Sequence, residues 1–278
     1  MNRHKLLLTI VIAVVATVAV SAHDTWLTPR QFRVVPGTRV RLDLTSGMAF
    51  PHLDTSIKPD RIDVARFRQN GKTQEITDGV SGPKSLVLSA VFKDTGVATC
   101  WVELKPRQLE LTPTQVEEYF EEIGASPDVR QTWQNMKSPK HWREVYVKHA
   151  KTFVTVGNNE TDRSWNEAIG MSLEIVPDKD PFTLRAGDDL PVRVLKNGVG
   201  FANFPVGIVF EGESHGQIHS TDSNGRVVFR LAKQGRYLLR GTDLRPSTKP
   251  NLEWESDFTT MTFTTLVVYP RLAPSRGR

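Results

Sequence analysis

Short apolar or alternating runs, each closed by turn-forming residues, recur through most of this sequence and restrict it to a mainly β fold. In the first half the runs are 31–35, 39–44, 61–68, 85–91 and 97–104. Pro36-Gly37, Gly71, Gly82-Pro83 and Asp94-Thr95-Gly96 separate them. Runs with a period of two, broken by turn signals every ~8–12 residues, are the mark of a sandwich. The second half repeats the pattern. Residues 188–195 alternate, Asn197-Gly198 turns the chain, and runs at 206–210, 227–231, 237–241 and 261–268 follow.

The middle of the chain departs from this. Thr112-Pro113, Ser126-Pro127 and Ser138-Pro139 each set a capping hydroxyl before a proline. A proline at the first helical position loses no hydrogen bond, and the hydroxyl caps a free backbone N–H. Gln115 completes a capping box with Thr112. Three short helices are predicted, 113–123, 127–136 and 139–150. The predicted architecture is two Ig-like or transthyretin-like β-sandwich domains with a short helical insertion. Its parts are a leader over 1–22, a sandwich over 23–110, the insertion over 111–150, a return strand and linker over 151–172, a second sandwich over 173–270 and a basic tail over 271–278.

The first 22 residues have the form of a cleavable secretory signal. Arg3, His4 and Lys5 precede an apolar stretch from Leu6 to Val20 interrupted only by Thr9 and Thr17. That stretch is too short and wrongly flanked for a membrane span, so no stable membrane insertion is expected after cleavage. Cutting after Ala22 leaves 256 of the 278 residues, exports them to the periplasm and makes His23 the first residue. An N-terminal histidine offers an α-amine, titrating near ~8, and an imidazole, titrating near ~6.5, on one residue. Together they form a chelate for a transition metal.

Composition excludes other classes. Arg3 and Lys5 supply two of the five formal positive charges, leaving about +3 on the processed chain, scattered rather than striped. Nucleic acid is therefore not an expected partner. Cys100 is the single cysteine, so no internal disulfide forms and stability rests on core packing. Its neighbours, Val97-Ala98-Thr99 and Trp101-Val102, mark a buried strand and an unreactive thiol. No phosphate-binding loop, dinucleotide fingerprint, nucleophile elbow or His-Glu-x-x-His occurs, and no catalytic residue is proposed.

Several separated segments resemble one family. They are Ala22-His23-Asp24-Thr25-Trp26-Leu27, the stretch from Trp142 to Phe153, Leu173-Glu174-Ile175-Val176-Pro177 with Asp180-Pro181 and Leu184 to Asp188, and Trp254 to Thr260. The sequence resembles the domain of unknown function 4198 family (DUF4198), NikM-like proteins often labelled nickel/cobalt transporter periplasmic components. The resemblance implies nickel or cobalt as cargo, the family's N-terminal histidine at His23, and a membrane uptake transporter as partner. The family's Asp-Trp-Glu-Ser appears as Glu253-Trp254-Glu255-Ser256.

The other histidines are the candidate partners for His23 at a divalent metal. His52 follows Gly47-Met48-Ala49-Phe50-Pro51 in a loop, where Met48 suits a softer ion. His149 lies in the central motif, at the end of the third predicted helix. These three histidines form the expected metal set, with copper favoured by intrinsic affinity and nickel or cobalt by resemblance. His141 is eight residues from His149, outside chelating helical spacing. His215 and His219 would share a metal only if their segment bent. Asp24 is a neighbour that could orient His23. The expected function is non-enzymatic capture of the metal and its presentation to an uptake system. The alternatives are a metal-free binding or scaffold module and a copper mono-oxygenase built on the terminal histidine.

Overall fold

The computed structural model describes residues 23–158, 162–213 and 216–265. The expected leader and the basic tail lie outside the described residues. The first strands are β1 (Asp24–Pro29), β2 (Arg33–Val34), β3 (Arg39–Gly47), β4 (Thr55–Ser56), β5 (Ile62–Gln69), β6 (Lys72–Glu75), β7 (Asp78–Ser81), β8 (Leu86–Val91), β9 (Gly96–Leu104) and β10 (Arg107–Leu111). Helices α1 (Pro113–Ile123) and α2 (Pro127–Asn135) follow. The remaining strands are β11 (Trp142–Val156), β12 (Leu173–Pro177), β13 (Asp189–Lys196), β14 (Val199–Gly200), β15 (Pro205–Phe210), β16 (Gln217–Ser220), β17 (Arg226–Arg230), β18 (Arg236–Pro246) and β19 (Trp254–Thr264).

The strands form three sheets. The largest runs β16-β15-β18-β19-β11-β9-β5-β6, with β2 and β10 also paired to β11. A second sheet runs β1-β3-β8-β7 with β4 beside β3, and a third runs β12-β13-β14 with β17 beside β13. Successive side chains of a strand point to opposite faces. Ala150 and Val154 of β11 accordingly join Leu27, Leu42, Leu88 and Cys100 in one core. Phe153 of the same strand joins Ile175, Val192, Met261 and Phe263 in another. The two small sheets thus cover opposite faces of one large sheet. The mainly β architecture of two sandwiches holds, and the two share β11. Cys100 is fully buried, and burial pushes its thiol pKa up, as expected of a structural cysteine.

The first two helices form where their caps predict. The Thr112 side chain accepts from the Gln115 N–H and the Gln115 side chain returns to the Thr112 N–H, while Ser126 caps α2. The third predicted helix is a correction: residues 142–156 are strand, and Ser138-Pro139 lies in the connection before it. Trp142, Val145 and Tyr146 match a helical stripe, yet Val145, Val147, Thr152, Val154, Thr155 and Val156 are β-branched residues suited to a pleated surface. Pairing with β10, β9 and β19 then overrides the local pattern. The helical insertion shrinks to α1 and α2, and both pack on Trp142. Its ring stacks on Trp254 at 4.6 Å and meets the edges of Tyr119, Phe120 and Trp133 at 5.5–5.7 Å.

Candidate functional site

β1 is an edge strand, and its free edge is the key to how His23 and the residues after it are held. One side pairs with β3, from Asp24 opposite Gly47 to Pro29 opposite Leu42. The other side rests on the large sheet, whose side chains replace a partner strand. Lys148 Nζ donates to the His23 carbonyl at 2.6 Å, Thr260 Oγ1 to the Thr25 carbonyl at 2.6 Å and Thr262 Oγ1 to the Leu27 carbonyl at 2.6 Å. Alternate carbonyls are satisfied because β1 and the rows of β11 and β19 share the period of two. An orphaned buried carbonyl would otherwise cost about 1–3 kcal/mol each.

His23 is half-buried at the end of this ladder. It precedes Asp24, which faces Gly47 at the end of the β1–β3 register, and Met48 follows Gly47. The loop continues to His52, which is exposed and donates its N–H to the Ala49 carbonyl at 2.8 Å. Phe50 anchors that loop: its ring meets Trp26 edge-on at 5.8 Å and its carbonyl accepts from Gly212 N–H at 3.0 Å. His23, Met48 and His52 therefore occupy the same end of the β1–β3 ladder. Asp24 does not turn toward the histidine; its Oδ2 pairs with Arg240 Nη1 at 2.6 Å.

His149 is placed elsewhere. It follows Lys148 in β11 and so faces the opposite side of the large sheet. It is buried, with Nε2 2.9 Å from Ser172 Oγ and 3.5 Å from Asp257 Oδ1, and Nδ1 3.3 Å from Glu103 Oε2. Burial opposes its positive charge, but Asp257 and Glu103 outweigh that and raise its pKa. Lys196 and Arg245 bind the other oxygen of Asp257 at 2.6 and 2.7 Å. Burial works against the Asp257 charge too, and His149, Lys196 and Ser172 hold it far below the usual carboxylate range. Two residues along the same face, Lys151 and Glu174 form a fully buried ion pair at 2.7 Å.

The other residues singled out in the sequence stand apart from His23. His141 is exposed, and the His219 ring stacks on Phe229 at 5.2 Å. His215 lies outside the described residues. Glu253 grips Arg143 with both oxygens, at 2.6 and 3.1 Å. Among the described residues, no three His, Cys, Asp or Glu side chains converge as a metal-holding group.

Lys148 carries no signal in the sequence, because a single lysine within the predicted helix 139–150 looks like any surface charge. Burial is the main reason its pKa falls, to about 8; Asp24 and Glu144 act against the fall, and Arg61 and Arg107 add to it. Glu144 does not neutralise it by contact. Its oxygens are taken by Tyr119 Oη at 2.8 Å, Trp142 Nε1 at 2.9 Å and Ser256 Oγ.

The class defined by this geometry is a pair of sandwiches built on one shared sheet, with β1 pinned against it. The chain belongs to the family described as "Domain of unknown function (DUF4198)", whose model matches residues 20–242. No curated protein matches the sequence. Among solved structures it is similar to the D0-D1 domain of Intimin, at 12% identity over 86% of this chain and 97% of that one, with a TM-score of 0.20. It is also similar to the I-band fragment I67-I69 from titin, at 9% identity over 87% and 65% of the two chains and a TM-score of 0.18. The Yersinia pseudotuberculosis adhesin InvE follows, at 11% identity over 85% and 58% and a TM-score of 0.22. Scores this low carry no weight for role; the architecture rests on the sheets themselves.

Proposed function

We propose that this protein is an exported, non-enzymatic metal carrier of the periplasm. Residues 1–22 are removed on export, and His23 then binds a divalent transition metal through its α-amine and imidazole. Nickel and cobalt are the cargo suggested by the family resemblance, and copper competes through intrinsic affinity. The observation that carries this reading is the anchoring of His23. Lys148 holds its carbonyl and Arg240 holds the next side chain, so the terminal chelate is ordered rather than trailing. Met48 and His52, on the loop at the same end of the ladder, supply the further donors. His149 is left out, because it faces the other side of the sheet and its ring already has polar partners. The loaded site, at the rim of the small sheet, then presents the ion to a membrane uptake system.

The test is calorimetric titration of nickel, cobalt and copper into protein beginning at His23, against protein carrying one extra N-terminal glycine. The glycine removes the α-amine from the chelate and leaves every side chain in place. We expect the extension to weaken binding at least ~10-fold, about 1.4 kcal/mol. Equal affinity in the two proteins sinks the terminal chelate, and no binding in either sinks the metal reading.

A further inference from the structure

A cavity of about 450 Å³ opens between the β1–β3 end of the small sheet and the rim of the large one. Its volume lies within the ~300–1,000 Å³ of small-molecule sites. Lys58, Arg61, Arg107 and Lys148 bring four cations to its wall, against the single carboxylate of Asp60. The cations come from three separate elements. Lys58 and Arg61 flank a short turn of helix before β5, Arg107 begins β10 and Lys148 lies in β11.

Several cations elsewhere in this molecule, such as Arg30, Arg143, Arg193 and Arg240, are paired with a carboxylate. Here, among the described residues, none of the four cations forms an ion pair with a carboxylate. Lys148 spends its ammonium on a neutral carbonyl, and Arg61 lies over the Tyr146 ring at 5.8 Å. The Lys148 ammonium also lies over Tyr146 and Phe258, at 5.5 and 4.9 Å. Thr25, Ser46, Thr55 and Ser56 also line the cavity, and Thr25 Oγ1 donates to Ser46 Oγ at 3.2 Å. Such a concentration of like charge in one concavity raises the local concentration of anions, and guanidinium groups match the fork of a carboxylate.

We propose that this cavity binds a small organic acid bearing two or three carboxylates. The organic character follows from the walls. Ile57, Leu104 and the Tyr146 ring give an apolar lining that an inorganic oxyanion leaves unused. The carboxylates would meet Arg61 and Arg107 at the rim and Lys148 deeper in, with the carbon skeleton against Tyr146. This site stands independently of the metal reading, although an anion seated there also relieves the repulsion that a dication meets beside Lys148.

The probe is citrate, titrated calorimetrically into metal-free protein, with inorganic phosphate and acetate as comparisons. We expect citrate to bind at least ~10-fold more tightly than either. Arg61→Gln, Arg107→Gln and Lys148→Met should each weaken it about tenfold or more, the scale of a lost charge-assisted hydrogen bond. Arg39→Gln, which removes a cation already paired with Asp78 on the far edge of the small sheet, should leave it unchanged. His23→Ala should also leave it unchanged, which separates this site from the chelate. A second readout needs no variant: citrate should protect Arg61 and Arg107, but not Arg39, from phenylglyoxal, measured by peptide mass spectrometry. Absence of citrate binding or of protection overturns the proposal. Equal affinity for phosphate, dependence on added metal, or indifference to the arginine variants also overturns it.

Discussion

Lys148 and His149 are consecutive residues of one strand, and the two faces of the sheet treat them in opposite ways. On the His149 face each buried charge meets its complement. His149 meets Asp257 and Glu103, Lys196 meets Asp257 and Asp243, and Lys151 meets Glu174. On the Lys148 face four cations from three elements gather round a cavity, and the buried carboxylate of Glu144 nearby is bonded by neutral donors. A closed network consumes its own binding capacity and fixes how the third sheet docks. An open one keeps that capacity for a ligand. Alternation along β11 lets one strand serve both ends.

The largest effect should come from opening the closed side. Glu174 accepts from Lys151 Nζ and from the N–H groups of Ile169 and Gly170. Burial opposes its charge, and those donors overcome it and lower its pKa. Lys151→Met leaves the carboxylate buried without its cation, and we expect a loss of about 3–5 kcal/mol. Adding Glu174→Leu should recover most of it, since a buried pair is readily replaced by apolar groups of similar size. Urea denaturation of the two variants checks this. If Lys151→Met cost under ~1 kcal/mol, the face would not be the closed structural network described here.

His149 should contribute less, and its mark is a pH slope. Its folded pKa is raised, so its contribution is complete below the unfolded value of ~6.5 and is lost as pH rises through the raised folded value. Between those points the folded state holds more protons, and stability falls with rising pH. His149→Gln should cost about 1–3 kcal/mol near pH 6 by leaving buried acceptors short of a donor, and should flatten that slope. Thermal unfolding across pH 5.5–9 measures it. An unchanged slope in the variant would remove His149 from the network.

The sequence makes these two faces legible to different degrees. The sandwiches, the first two helices and the buried cysteine follow from local signals: period two, turn residues, and a hydroxyl before proline. The end of the helical insertion does not. Ser138-Pro139 carries the same cap signal as its two predecessors, and the β-branched residues that follow, together with the ladders of β11 with β10 and β19, decide against it. The candidate site is likewise half visible. His23 and His52 stand out as ligand types, and the ladder brings their segments together. Arg61, Arg107 and Lys148 lie dozens of residues apart in places, and no spacing joins them before the sheets form. His149 shows the converse: its type suggested a ligand, and its position one residue beyond Lys148 settled which face it serves.

The smallest effect, and the sharpest contrast, should come from Lys148→Met. It differs from Lys151→Met by three positions in one strand. Removing Lys148 loses a hydrogen bond to the His23 carbonyl but also relieves crowding among Lys148, Arg61 and Arg107, so the net change should stay within about 1 kcal/mol. The pH dependence should run opposite to that of His149. Burial lowers the Lys148 pKa to about 8, below the unfolded value of ~10.4. From about pH 8 to ~10.4 the unfolded chain holds more protons, so stability rises with pH through this group, and the rise should vanish in Lys148→Met. Denaturation midpoints at pH 7.5 and 9.5 measure the difference. A large loss at both, like that of Lys151→Met, would make Lys148 a structural cation, and the asymmetry between the two faces of β11 would fall with it.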